Sequence, residues 1–139
     1  MYDWSKVKKF TILIPVYNDW ESLKKLLDNI NDTIKDFLNT EFNCVVVDDS
    51  STTDCSKIKI PTNINSIKII HMNENRGHAR CNAFGIKYLS KNPDIDYVIL
   101  MDGDGEDRPE ELKLLVNKVL LEPDISVVAK RVKRSEGPL

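Results

Sequence analysis

The sequence predicts an α/β domain with a doubly wound, mostly parallel sheet, helices on both faces and a Rossmann-like layout. Two observations carry this. Short β-branched runs alternate with segments of helical period along the chain, and each run is apolar at nearly every position, as strands buried on both faces tend to be. The runs are Phe10 to Val16, Phe42 to Asp48, Ser66 to Met72, Tyr97 to Asp102 and Ile125 to Lys130. Strict alternation of strands and helices leads to right-handed crossovers and a covered parallel sheet.

Between the runs, Leu23, Leu26, Leu27, Ile30, Ile34, Phe37 and Leu38 form one helical face, with Asn18 and Glu21 spaced as a capping box. A short helix is expected near Thr52 to Ile58. A longer one over Gly77 to Ser90 presents Ala79, Ala83, Ile86 and Leu89 and stops before Asn92-Pro93. A fourth is capped by Asp107 with Glu110 three residues later, carries Pro109 in its first turn, and buries Leu112, Leu115, Val116, Val119 and Leu120.

At 139 residues, 41% of them hydrophobic, the chain is long enough for one real core, and residues 1–139 are read as a single domain. Twenty Lys and Arg against 22 Asp and Glu give a net charge of -2, without the positive excess of a nucleic-acid-binding surface. Cys44, Cys55 and Cys81 are odd in number and lack C-x-x-C spacing, which fits a reducing, cytoplasmic compartment. The N-terminal residues do not read as a signal peptide, and no stretch approaches the roughly 20 apolar residues of a membrane span. A peripheral position at the cytoplasmic membrane face stays open.

In a doubly wound sheet, ligands bind beyond the carboxyl ends of the strands. The exits there are polar: Pro15-Val16-Tyr17-Asn18-Asp19, Asp48-Asp49-Ser50-Ser51, Asn73-Glu74-Asn75-Arg76-Gly77 and Asp102-Gly103-Asp104. Such residues also simply make turns and caps. Asp102 and Asp104, with only Gly103 between them, can point into one small volume. Two like charges 4 Å apart repel by about 4 kcal/mol at an effective dielectric near 20. A bound Mg²⁺ or Mn²⁺ removes that conflict, and such ions take carboxylate oxygens together with substrate phosphates. Glu106 is a candidate third ligand, whereas Asp107 reads equally well as a helix cap. A calcium-binding EF-hand loop fails on spacing, because Asp107 falls where glycine is required and Lys113 where a bidentate Glu is required.

One of Asp48 and Asp49 is expected at the strand tip, placed to accept hydrogen bonds from a ribose or base. Arg76, Arg80 and Arg131 are the cationic candidates for pyrophosphate oxygens. Lys130, Arg131, Lys133 and Arg134 form a basic run that reads either as a solvated tail or as a contact for an anionic ligand or membrane surface. His71 and His78 lack partners at zinc-ligand spacing, no Ser-His-Asp or Cys-His set is present, and no G-x-G-x-x-G follows the first strand.

Taken in order, ILIPVYND, VVVDDSSTTD, NRGHARCNAFGI and ILMDGDGEDRPEEL closely resemble the inverting family 2 glycosyltransferases of GT-A fold, over nearly the whole chain. The resemblance implies that Pro15, Tyr17 and Asp48 or Asp49 surround the nucleoside, that Asp102 and Asp104 are the D-x-D metal motif, and that the donor is a UDP- or GDP-sugar. Asn18, Asp19, Arg76, Gly77, Arg80 and Gly103 belong to the same expected donor site. Asp19 stands where Glu is frequent. The segments GEDRPEE and AKRVKRSEG, the second with Arg131, are similar to the branch that includes dolichyl-phosphate mannose synthases, with Glu106 where Gln often stands. By that likeness the enzyme is of hexosyltransferase type, the catalytic residues are Asp102, Asp104 and Arg131, and the acceptor is a polyprenyl phosphate whose oxygen is already ionised.

Members of the family continue well past the region of Arg131 into an acceptor-site segment, whereas this sequence stops at Leu139. The expectation is the nucleotide-binding half of such an enzyme. The alternative is a non-catalytic nucleotide-sugar-binding domain that has lost its acceptor half. A nucleotidyltransferase on a similar sheet would favour a Gly-rich loop bearing Lys or Arg after the first strand, which Val16-Tyr17-Asn18-Asp19 is not.

Overall fold

A computed structural model describes residues 6–55, 57–102 and 109–122. Four strands, β1 (Lys8–Val16), β2 (Thr40–Asp48), β3 (Ser66–His71) and β4 (Tyr97–Leu100), form one sheet in the order β3-β2-β1-β4, and every pairing is parallel. Three helices connect or flank them: α1 (Trp20–Ile34), α2 (His78–Leu89) and α3 (Pro109–Leu121). The predicted strand Ile125 to Lys130, the cap at Asp107, and Gly103, Asp104, Glu106 and Arg131 lie outside the described residues.

Side-chain alternation along β1 divides the core. Phe10, Ile12, Ile14 and Val16 point to one face, where they meet Leu23, Leu26, Leu27, Ile30 and Ile34 of α1 and Leu112, Val116 and Val119 of α3. Leu13, with Val45 and Val47 of β2, points to the other face and meets Cys81 and Leu89 of α2. The sheet is therefore covered on both sides, as the alternating sequence predicts. At its amino end Phe10 stacks on Phe42 with ring centroids 4.8 Å apart and tilts against Tyr97 at 5.2 Å, which ties β2, β1 and β4 together there.

Sequence expectations give way in three places. Asp19, not Asn18, caps α1, accepting the Ser22 N–H at 3.3 Å, because Asn18 takes a left-handed turn (φ 60°) and its side chain reaches another loop. Glu21 pairs instead with Lys24 at 3.7 Å. The helix ends at Ile34, so Phe37 packs on the core from a turn and Leu38 is 83% exposed.

No helix forms among the described residues of the Thr52 to Ile58 stretch. The stretch is instead tied to the exit of β1 and the start of α1: the N–H groups of Thr52 and Thr53 donate to Asn18 Oδ1 at 2.8 and 3.1 Å, and Thr53 O accepts Trp20 Nε1–H at 3.2 Å.

The third difference concerns α2, whose buried face is Cys81, Gly85 and Leu89, while Ala79 and Ala83 are exposed and Ile86 is largely so. Alanine is a weak marker of burial. What fixes this face is Gly85: a Cβ there would lie 2.5 and 2.7 Å from the Leu13 methyls, and Leu13 is fully buried. Gly85→Val should destabilise the domain by about 2 kcal/mol through overpacking, and Gly85→Ala by less, since alanine regains about 1 kcal/mol of helix propensity. Chemical denaturation of the two variants checks that order.

Cys44 is fully buried under α1, and burial pushes its thiol up from 9.0 to about 12. The folded state thus holds the proton more tightly than the unfolded state. The associated stability is intact below pH 9 and is lost as pH rises toward 12, with a slope of up to about 1.4 kcal/mol per pH unit. Cys44→Val should flatten this alkaline loss in denaturation curves measured between pH 9 and 11.

Candidate donor-binding edge

The carboxyl ends of the strands gather the polar exits on one edge. Sheet order reverses direction between β1 and β4, the place where an open α/β sheet leaves a crevice. Met101 N–H donates to Leu13 O at 3.0 Å, so β4 leaves the sheet beside β1, and the half-buried Asp102 follows directly. On the β1 side Pro15 is buried, and Tyr17 is 39% exposed, the more open of the two.

Asn18 joins the β1 and β2 exits. Its backbone N–H donates to Ser51 Oγ at 2.8 Å, its Oδ1 accepts from Thr52 and Thr53, and its Nδ2–H donates to Thr52 Oγ1 at 3.1 Å. A left-handed asparagine with this many partners fixes the loop that leaves β1 against the loop that leaves β2.

Successive residues at a strand tip point to opposite faces, and this separates the two aspartates. Asp48 points to the α1 face. Its Oδ1 accepts from the N–H and hydroxyl of Ser51, and its Oδ2 lies 2.7 Å from His71 Nδ1. Asp49 points to the α2 face, where Oδ1 accepts Arg76 N–H at 2.7 Å and Oδ2 accepts Gly77 N–H at 2.9 Å. Asp49 N–H in turn donates to Val16 O at 2.8 Å.

The Cys81 thiol, fully buried beneath Asp49, is raised to about 12, first by burial and then by its hydrogen bond to that carboxylate. Asp48 ends β2, as one of the pair was expected to, and both aspartates are buried, at 4% and 1% exposure. Asp49 acts as a long-range cap for α2, whose own N-cap Gly77 (φ 91°) has no side chain to offer.

Arg76 pairs with Glu74 at 2.7 Å. Arg80, exposed on the first turns of α2, has no hydrogen-bond or ion-pair partner among the described residues. Both line an open groove of about 470 Å³ beside β3, with His71, Glu74 and Phe84 among the other walls. The structure thus joins Asn18 to the β2 exit and Asp49 to Arg76 and Gly77, but sets Arg76 and Arg80 on the β3 side, away from Asp102.

Sequence reasoning did not single out Trp20, took Ser51 only as part of a polar strand exit and Cys81 only as a packed thiol, and considered His71 only as a zinc ligand. The signal for His71 was its place near the end of the predicted strand Ser66 to Met72; its register level with Asp48 is seen only in the structure. Among the described residues no three metal-ligating side chains come together. None of the helices described is long and apolar enough to cross a membrane.

The model of glycosyl transferase family 2 matches residues 11–139. The chain is also 32% identical over 117 residues to the undecaprenyl-phosphate 4-deoxy-4-formamido-L-arabinose transferase of Proteus mirabilis, a match covering 84% of this chain and 35% of that protein. It is 29% identical over 121 residues to the transferases of the same name from Salmonella choleraesuis and Salmonella typhimurium, covering 85% of this chain and 36% of each of them. The match thus spans about a third of these relatives' length. A parallel β3-β2-β1-β4 sheet covered on both faces agrees with the GT-A, Rossmann-like fold of that family. With its model matching nearly all of the sequence, the chain belongs to glycosyl transferase family 2.

Proposed function

We propose that the chain is the donor-binding part of a glycosyltransferase that takes a sugar from a UDP- or GDP-sugar and passes it to a polyprenyl phosphate at a membrane surface. The observation that carries this reading is the gathering of the β1, β2 and β4 exits on one edge, in a chain of this family. The undecaprenyl phosphate in the relatives' names supports the acceptor class.

In this reading Pro15, Tyr17 and Asp48 surround the nucleoside. Asp48 Oδ1 already accepts two hydrogen bonds, and Oδ2 keeps one lone pair beyond the His71 contact for a ribose or base donor. Asp49, with both oxygens engaged, holds Arg76 and the start of α2 in place instead. Arg131 supplies a cation for diphosphate oxygens, whereas Arg80 stands on the β3 side with Arg76.

The half-buried Asp102 at the crevice fits a hard divalent cation, which takes oxygen ligands. Asp102, Asp104 and Glu106 would hold Mg²⁺ or Mn²⁺, which supplies positive charge to the leaving nucleoside diphosphate. The acceptor phosphate is already ionised and needs little help from a general base.

The test is transfer of labelled sugar from UDP- and GDP-sugars to polyprenyl phosphate by the full-length protein. Labelled polyprenyl product that disappears in Asp104→Asn supports the proposal. Absence of transfer with a protein that carries its complete acceptor region contradicts it.

A further inference from the structure

Asp48 owes its orientation to a residue on the edge strand. Asp48 and His71 are direct partners in the parallel β2–β3 register, so their side chains leave neighbouring strand tips on the same face. The Asp48 carboxylate only accepts, which assigns the proton of the 2.7 Å contact to Nδ1 of the imidazole. The two oxygens are then divided: Oδ1 belongs to Ser51, on its own loop, and Oδ2 to His71, on another strand.

Removing Ser51 would leave Asp48 held by one strand neighbour, and removing His71 would leave Oδ2 with no hydrogen bond among the described residues. A core contact would hide both partners. Here Asp48 is 4% exposed while the His71 side chain is 63% exposed and forms part of the wall of the groove that also holds Arg76 and Arg80.

We infer that His71 is a positioning residue for nucleotide recognition: its Nδ1–H sets Asp48 Oδ2 at the angle from which the remaining lone pair meets the nucleoside. The inference rests on the proposed placing of Asp48 in the nucleoside site. Its chemistry is specific, because the role needs a donor at the Nδ1 position rather than a ring or a charge. Asparagine carries its amide N–H₂ at nearly that position, whereas leucine fills the space without a donor.

The experiment is equilibrium binding of UDP, GDP and CDP, each with Mn²⁺, to the full-length protein and to its His71→Leu, His71→Asn and Asp48→Asn variants. Expected is a loss of about tenfold in affinity for the bound nucleotide in His71→Leu, recovery to within about twofold in His71→Asn, and a loss in Asp48→Asn at least as large as in His71→Leu. Unliganded, His71→Leu should melt below the parent, because the buried Asp48 Oδ2 loses its donor, and His71→Asn should recover most of that loss.

Unchanged affinity in His71→Leu, with Asp48→Asn weakened, overturns the inference and leaves the nucleoside site standing. Equal loss in His71→Leu and His71→Asn also overturns it, since the ring and not the donor would then matter. Unchanged affinity in Asp48→Asn, or no nucleotide bound by the parent, overturns the site and the inference together.

Discussion

Asp49→Ala is expected to lower the stability of the domain by about 3 kcal/mol, the largest effect of any single polar substitution at this edge. The carboxylate is 1% exposed and accepts from Arg76 N–H and Gly77 N–H. Hydrogen bonds to a charged group contribute about 1.5–3 kcal/mol each, and alanine leaves these donors facing a cavity. The negative charge also sits at the positive end of α2, which has no side-chain cap of its own. Asp49→Asn should cost less, because its single oxygen still serves one N–H while its amide confronts the other. Chemical denaturation measures both. Hydrogen exchange should show α2 opening first, because Asp49 is its tether to β2.

Asp102→Asn is expected to reduce sugar transfer by about 10²- to 10³-fold with little change in stability, the scale seen when one preorganised group facing developing charge is removed. Asp102 is half-buried and leaves β4 beside β1, at the crevice where the sheet order reverses. Asparagine keeps the shape and removes the charge that a divalent ion requires. Steady-state kinetics on the full-length protein, with melting curves alongside, separate loss of function from loss of fold. The two aspartate substitutions therefore part company: Asp49 is read out in stability and Asp102 in turnover.

Much of the layout was legible because hydrophobic period is a local signal. The apolar runs that became β1 to β4 and the α1 stripe from Leu23 to Ile34 could be read one segment at a time. What could not be read depends on partners distant in sequence. Asn18 looks like a helix cap beside Glu21, yet its oxygen is taken by Thr52 and Thr53, 34 and 35 residues away. The α2 face was misread because alanines mark a buried face weakly and Gly85 not at all, although Gly85 is where the helix meets Leu13.

The Asp48-Asp49 pair stood out as polar residues at a strand exit, but its division of labour did not. Which aspartate anchors α2 and which faces Ser51 and His71 follows from strand alternation and from where α2 packs, and neither is written in the pair itself.

The central claim, a metal-dependent nucleoside diphosphate site on this edge, is tested most directly by thermal unfolding with UDP, GDP and CDP, each with and without Mn²⁺, on the parent protein and on Asp104→Asn. A nucleotide at about 100 times its dissociation constant adds roughly 2.7 kcal/mol of stability, several degrees in a domain of this size. The account predicts such a rise with UDP or GDP, dependent on Mn²⁺ and absent in Asp104→Asn. A rise that is the same without Mn²⁺, one that persists in Asp104→Asn, or none with any nucleotide would contradict it.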